Sequence, residues 1–250
     1  MIQQADEELP FDCLKDDCFV PWMHPHDLKR ATQLFSGLSK HVALCSNDDG
    51  TLMFFVAEDE FAVILRTKVL IHWRYEKAKA CYSIPFVALE SFADAFQDAQ
   101  SIRIGVVDDY LVFSGKELDA GQEQDVVAWC KYKESGRLSS YGHINRRASG
   151  YVDGLELLKK LIGKDEYVTV SSDNLSLQIN DRLFSSFELA PGVQKTERFS
   201  ITLRRFTLGR VLLRVLRFIA PERNIYVAIA GGIFAIVAPD VKCFIHSIGG

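Results

Sequence analysis

The chain has 250 residues, is 48% hydrophobic and 25% charged, and carries a formal net charge of −4. That suits one large or two ordinary globular domains. No apolar run reaches about 18 residues without a charge, which excludes a helical membrane span as the reading. The six cysteines, at positions 13, 18, 45, 81, 130 and 243, include no C-x-x-C and suggest no disulfide framework.

The N-terminal stretch M-I-Q-Q-A-D-E-E-L-P is acidic and polar and lacks the basic and apolar regions of a signal peptide. Cytosol, nucleus or a viral equivalent is the expected compartment. Cys13, Cys18, His24 and His26 have donor types that suit zinc, but their spacing matches no common finger. Residues 1–18 read instead as a polar arm, with no metal and no cofactor expected.

Four helical patterns follow, each leading into a hairpin. The first, H-D-L-K-R-A-T-Q-L-F-S-G-L, places Leu28, Ala31, Leu34, Phe35 and Leu38 on one face. Its hairpin, residues 42 to 56, turns at Asp48, Asp49 and Gly50. The strand-like C-Y-S-I-P-F opens the second unit, whose helix collects Leu89, Phe92, Ala93 and Phe96 on one face. Its hairpin turns at Asp108 and Asp109. Asp, Asn and Gly tolerate positive φ, so turn chemistry accounts for the paired acids better than metal binding does.

Residues 134 to 150 are rich in Ser and Gly, break both periodicities and read as a connector. The third helix is V-D-G-L-E-L-L-K-K-L-I, with a hairpin turning at Asp173 and Asn174. F-S-I-T-L precedes the fourth helix, T-L-G-R-V-L-L-R-V-L-R-F, and the last hairpin turns at Gly231 and Gly232. The turns recur about 60 residues apart, an architecture-level repeat. The unit is strand, helix, strand, turn, strand, and often another strand. An α+β protein with evenly spaced elements is the plainer alternative.

At 100° per residue, Arg210, Arg214 and Arg217 fall within about 60° of one another. Leu208, Val211, Leu212, Val215, Leu216 and Ile219 gather on the far side, and Leu213 sits on the flank. Lys159 and Lys160 lie on the third helix, Lys29 and Arg30 on the first. A solvated helix face explains any one of these; three such helices in a net-acidic chain suit a polyanion. The second helix departs from this, with Glu90, Asp94 and Asp98 on its polar side.

This organisation resembles that of DNA sliding clamps of the proliferating cell nuclear antigen type, over roughly residues 19 to 240. The local matches are I-A-P-E-R-N-I-Y-V-A-I-A-G-G-I-F-A-I-V-A-P, residues 219 to 239, and C-Y-S-I-P-F-V-A-L-E-S-F-A-D-A-F, residues 81 to 96. The resemblance implies an α+β sliding-clamp fold: a clamp domain over 19–133, a connector over 134–150 and a second clamp domain over 151–250. It implies a processivity factor around duplex DNA, in a ring that is a homotrimer or a hetero-ring. Polymerases or repair proteins would bind through short peptide motifs, in a nucleus, or in the cytoplasm or nucleoid of a bacterial or viral system.

On the resemblance, Lys29, Arg30, Lys159, Lys160, Arg210, Arg214 and Arg217 meet phosphate without reading bases. Phe61, Leu138, Tyr141, Pro221, Val237, Ala238 and Pro239 form the partner-peptide pocket. The first 18 residues have no counterpart in the family. A checkpoint-clamp subunit, a viral clamp or a non-encircling interaction or transcription scaffold is the alternative. No enzyme is expected: G-x-S-x-G, G-x-x-x-x-G-K-[ST], G-x-G-x-x-G and H-E-x-x-H do not occur.

Overall fold

In the computed structural model of the protein, the described residues are 23–46, 51–70, 81–119, 122–135, 148–161, 165–173, 176–179, 182–186, 188–189, 199–219 and 224–248. The chain repeats one unit four times. Unit one is α1 (Pro25–Phe35), β1 (His41–Ser46), β2 (Thr51–Ala57) and β3 (Phe61–Leu70), preceded by a bridge from Met23 to Ile102. Unit two is β4 (Cys81–Pro85), α2 (Phe86–Ala95), β5 (Ile102–Val107), β6 (Tyr110–Asp119) and β7 (Gln122–Lys131), with the short β8 (Lys133–Ser135). Unit three is β9 (Ala148–Asp153), α3 (Gly154–Lys160), β10 (Tyr167–Asp173), β11 (Ser176–Ile179) and β12 (Arg182–Ser186), with β13 (Glu188–Leu189). Unit four is β14 (Phe199–Arg204), α4 (Arg205–Phe218), β15 (Asn224–Ala230), β16 (Ile233–Ala238) and β17 (Val241–His246).

Local chemistry sets the ends of these elements. Pro25 opens α1, where its missing N–H costs nothing, and His24 Nδ1 accepts from the His26 amide. Gly37, just past the helix, takes φ of 70°, the left-handed conformation glycine adopts without steric cost. Asp153 caps α3 by accepting from the amides of Leu155 (2.8 Å) and Glu156 (3.1 Å). The β5–β6 turn puts Asp108 at φ 49°, and the β15–β16 turn uses Gly231 and Gly232 at φ 47° and 82°. Both are two-residue turns whose positive φ matches the twist of the strands they join. In the third hairpin Asp173, expected in the turn, pairs with Ser176 at the end of β10. The expected first turn, 47–50, lies outside the described residues, though β1 and β2 pair around it.

Opening strands are exchanged between neighbouring units. The strand that opens unit two, β4, pairs with β1 of unit one, while Met23 of unit one bridges to β5 of unit two. Likewise β9 of unit three pairs with β15 of unit four, and β14 of unit four pairs with β10 of unit three. The third strands carry the rest of the topology. Those of units one and four, β3 and β17, pair antiparallel from Leu65–Val241 to Phe61–Ile245. That pairing fuses both halves into one sheet ordered β13-β9-β15-β16-β17-β3-β2-β1-β4-β8. The third strands of units two and three, β7 and β12, each end a smaller sheet, β5-β6-β7 and β12-β11-β10-β14.

The helices pack on one side of this sheet work, over a core that runs through both halves. Leu28, Ala31, Leu34, Phe35 and Leu38 of the first unit are buried there. So are Leu89, Phe92 and Phe96 of the second, and Leu208, Val211, Leu212, Val215, Leu216 and Ile219 of the fourth. Each such leucine, valine, isoleucine or phenylalanine stabilises the fold by roughly 1.5–3 kcal/mol. Strand residues alternate between the faces. Val42 and Leu44 join the helix-side core, while Ala43 and Cys45 join a second apolar cluster with Phe55, Ile64 and Phe244.

Candidate nucleic-acid interface

The basic residues proposed to meet phosphate do not behave alike. Lys29 and Lys160 are exposed, as is Arg217, and Arg214 is half-buried. Among the described residues, Arg214 and Arg217 have no carboxylate in ion-pair range. Lys159 is also exposed but lies 2.5 Å from Glu156, one turn back on its own helix. An exposed pair of that kind contributes little stability and yields readily to a competing anion.

Arg30 and Arg210 also make contacts within the protein. Arg30 donates to Asp240 at 3.0 Å, lies 3.6 Å from Asp27 and stacks 4.9 Å from the centre of the Phe218 ring. It ties the first helix to the β16–β17 turn and to the end of α4. Asp240 holds φ of 60° in that turn, and its carbonyl accepts from the Arg66 amide of β3. Burial pushes the Asp27 carboxyl above its ordinary value, against the opposing pull of Arg30, His26 and His24. Arg210 lies 5.2 Å from the Phe61 ring and 5.6 Å from the Phe206 ring, and its Nε is buried with no hydrogen-bond partner among the described residues.

A second tie fixes the start of α4. The Glu60 carboxylate meets Arg204 and accepts from the Thr207 hydroxyl. Arg205 reaches Asp165 at 3.1 Å, and its amide donates to the Glu166 carbonyl. The sequence hid all of these contacts, because the partners are far apart along the chain.

Between α1, α2 and α4 lies an open groove of about 610 Å³. Arg214 and Arg217 form one wall, Glu90 and Asp94 the other, and Gln33 and Ser36 of the first unit lie between. Gly37 lies close by. A Cβ added there would sit 3.0 Å from Arg214 Nη2, so the glycine leaves room for that guanidinium. The face therefore has a basic part on α4 and an acidic part on α2. Asp98 is exposed just past α2.

The described residues expected at the peptide pocket are Phe61, Val237, Ala238 and Pro239. Phe61 is 2% exposed and packs beneath Arg210 on the helix side. It pairs with Ile245 at one end of β17, while Ala238 pairs with Val241 at the other, roughly 14 Å away at strand rise. Phe61 is thus a core residue, and the alternation that would have revealed it was masked by the all-apolar run around it. Ala238 is buried, Val237 half-buried and Pro239 exposed. Ala238 borders a cavity of about 290 Å³ lined by Thr51, Arg66, Thr67, Asp240, Val241 and Lys242, a largely polar set. Leu138, Tyr141 and Pro221 lie outside the described residues, as do Cys13 and Cys18. His24 and His26 are exposed with ring centres 6.4 Å apart. Among the described residues no cluster of three potential metal ligands occurs, and no helix is long and apolar enough to cross a membrane.

No protein-family model matches the chain, and no curated protein sequence matches it. Solved structures do. The DNA polymerase III β subunit of Borrelia burgdorferi aligns at TM-score 0.65 and 12% identity, over 94% of this chain and 66% of that one. The Helicobacter pylori β clamp bound to a DNA ligase peptide aligns at 0.63 and 9%, over 98% and 69%. PCNA of Thermococcus kodakaraensis aligns at 0.57 and 10%, over 92% of this chain and 100% of that one. The chain spans about two thirds of the length of the bacterial β subunits it matches. With its four exchanged units and one-sided helices, the chain has the fold of the DNA sliding clamp superfamily.

Proposed function

We propose that the protein is a non-catalytic sliding clamp, a ring subunit that encircles duplex DNA and tethers DNA-processing enzymes. The observation that carries this is the state of the third strands. In units one and four they pair with each other, β3 to β17, whereas in units two and three their equivalents, β7 and β12, are each paired on one side only among the described strands. The same pairing made between copies, β7 of one to β12 of the next, would close a ring, and strand edges left open otherwise invite uncontrolled association. The exchange of opening strands supports two domains of two units, over 19–133 and 151–250, joined by a connector at 134–150.

The ring would present its helices to DNA. Lys29, Lys160, Arg214 and Arg217 supply outward positive charge for phosphates, which holds a duplex without reading sequence. The ligase peptide carried by the aligned Helicobacter pylori clamp supports short peptides as the partner class. Light scattering across concentration tests the ring, with a closed oligomer expected. Retention on circular but not linear duplex tests encirclement. A particle that stays monomeric at high concentration and leaves circular and linear DNA equally fast overturns the reading.

A second reading is a checkpoint hetero-ring subunit or a non-encircling scaffold. It is favoured by Glu90, Asp94 and Asp98 on the helical face and by the commitment of Arg30 to Asp240. It predicts DNA binding unchanged by Arg214→Glu with Arg217→Glu, and ring formation only with other subunits.

A further inference from the structure

The outward face of α4 is not purely basic. At 100° per residue, Phe206 falls about 20° and Leu213 about 40° from Arg217, along one edge of the arginine stripe and on the side that points away from the core. Phe206 is 74% exposed and Leu213 37% exposed, while the other leucines and valines of α4 are buried. Leaving a phenylalanine in water forfeits the gain of burying it and does nothing for the packing of α4.

The Phe206 ring is nonetheless held. Arg210, one turn on, lies 5.6 Å from its centre and 5.2 Å from the ring of Phe61, which is fixed in the core. With its Nε buried, Arg210 acts as a strut between a core ring and a surface ring. Beyond the strut, Arg214 and Arg217 follow at about 12 and 16 Å from Phe206 along the helix axis. An aromatic face followed by cations with no carboxylate partner among the described residues is the composition that takes single-stranded nucleic acid: the ring stacks on a base and the cations hold neighbouring phosphates. A duplex offers Phe206 little, because its bases already stack on each other. An acidic partner protein would match the arginines but gives no reason for a supported, exposed ring.

We propose that Phe206, supported by Arg210, is a stacking site for an unpaired nucleobase, with Arg214 and Arg217 holding the adjoining phosphates. This rests on the reading that the helical face meets nucleic acid, and it adds a preference for single-stranded over duplex segments at α4.

The test is fluorescence anisotropy with a labelled oligothymidylate and a duplex of matched length. Phe206→Ala is expected to weaken oligothymidylate binding roughly fivefold to hundredfold, the range for loss of one stacked base. Duplex binding and the salt dependence of both should stay unchanged. Phe206→Trp should restore binding and add an emission that oligothymidylate quenches. Arg214→Glu with Arg217→Glu should weaken both ligands and flatten their salt dependence. Equal losses on both ligands with Phe206→Ala, no loss on oligothymidylate, or an unquenched Phe206→Trp would overturn the proposal. Retention on circular duplex is read separately, so failure of the clamp reading and failure of the stacking site give different results.

Discussion

Helices α2 and α4 occupy equivalent places in their units and bury equivalent stripes, yet they present opposite charge. Each follows a short strand, and each is held by apolar residues at helical spacing: Phe86, Leu89 and Phe92 in one, Leu208, Val211, Leu212 and Val215 in the other. On the outside, Glu90 and Asp94 face the groove that Arg214 and Arg217 face from across it. The buried stripe specifies the fold, and the outer stripe is free to vary without disturbing it. A repeated fold can therefore carry a different surface on each copy, and the helical face of this protein is electrostatically one-sided.

The inner stripes should prove interchangeable in energy. Leu212→Ala and Leu89→Ala, both at fully buried positions, are each expected to cost about 2–5 kcal/mol in denaturant unfolding. A large loss for one and none for the other would break the equivalence. The outer stripes should respond with opposite signs. Arg214→Glu with Arg217→Glu should lower duplex affinity by about tenfold or more and reduce the salt slope by roughly two, given about 0.9 per phosphate contact. Glu90→Lys with Asp94→Lys should raise affinity and steepen the slope by a similar amount. Anisotropy titrations at several salt concentrations measure both.

Smaller effects sharpen how the basic wall is held. Gly37→Ala forces a side chain into φ of 70° and crowds Arg214. It should cost about 1–2 kcal/mol in thermal or chemical unfolding. The smallest expected effect concerns Asp27. Its folded-state pKa is raised, chiefly by burial, so the native state binds more protons than the unfolded chain in the window just above the ordinary value of 3.8. Stability tied to this group therefore falls as pH rises through that window and is recovered as pH drops toward 3.8. Relative to Asp27→Asn, the parent protein should gain melting temperature on acidification. A constant difference across pH would show that Arg30 fully offsets the burial.

Much of the fold was legible because its signals are local. The faces of α1, α2 and α4 followed from spacing alone, and turns at Asp108–Asp109 and Gly231–Gly232 followed from residues that accept positive φ. The candidate site was legible only as a list of charges. Nothing near Arg30 in sequence announces Asp240, which lies 210 positions away. Phe61 reads equally well as pocket or core in an apolar run, and only its place under Arg210 decides it. Phe206 carries a usable signal in the sequence: the same helical angle that groups the arginines places it about 20° from Arg217, at the edge of their stripe.

By itself, then, the sequence determined the repeating unit and the buried stripe of its helices, since hydrophobic period and turn preference act over a few residues. Tertiary structure decided, among the described residues, which basic side chains have no carboxylate partner, which ring stands exposed on α4 and which third strands are paired on both sides or on one. Those outcomes depend on groups brought together from opposite ends of the chain, and no local preference encodes a partner two hundred residues away.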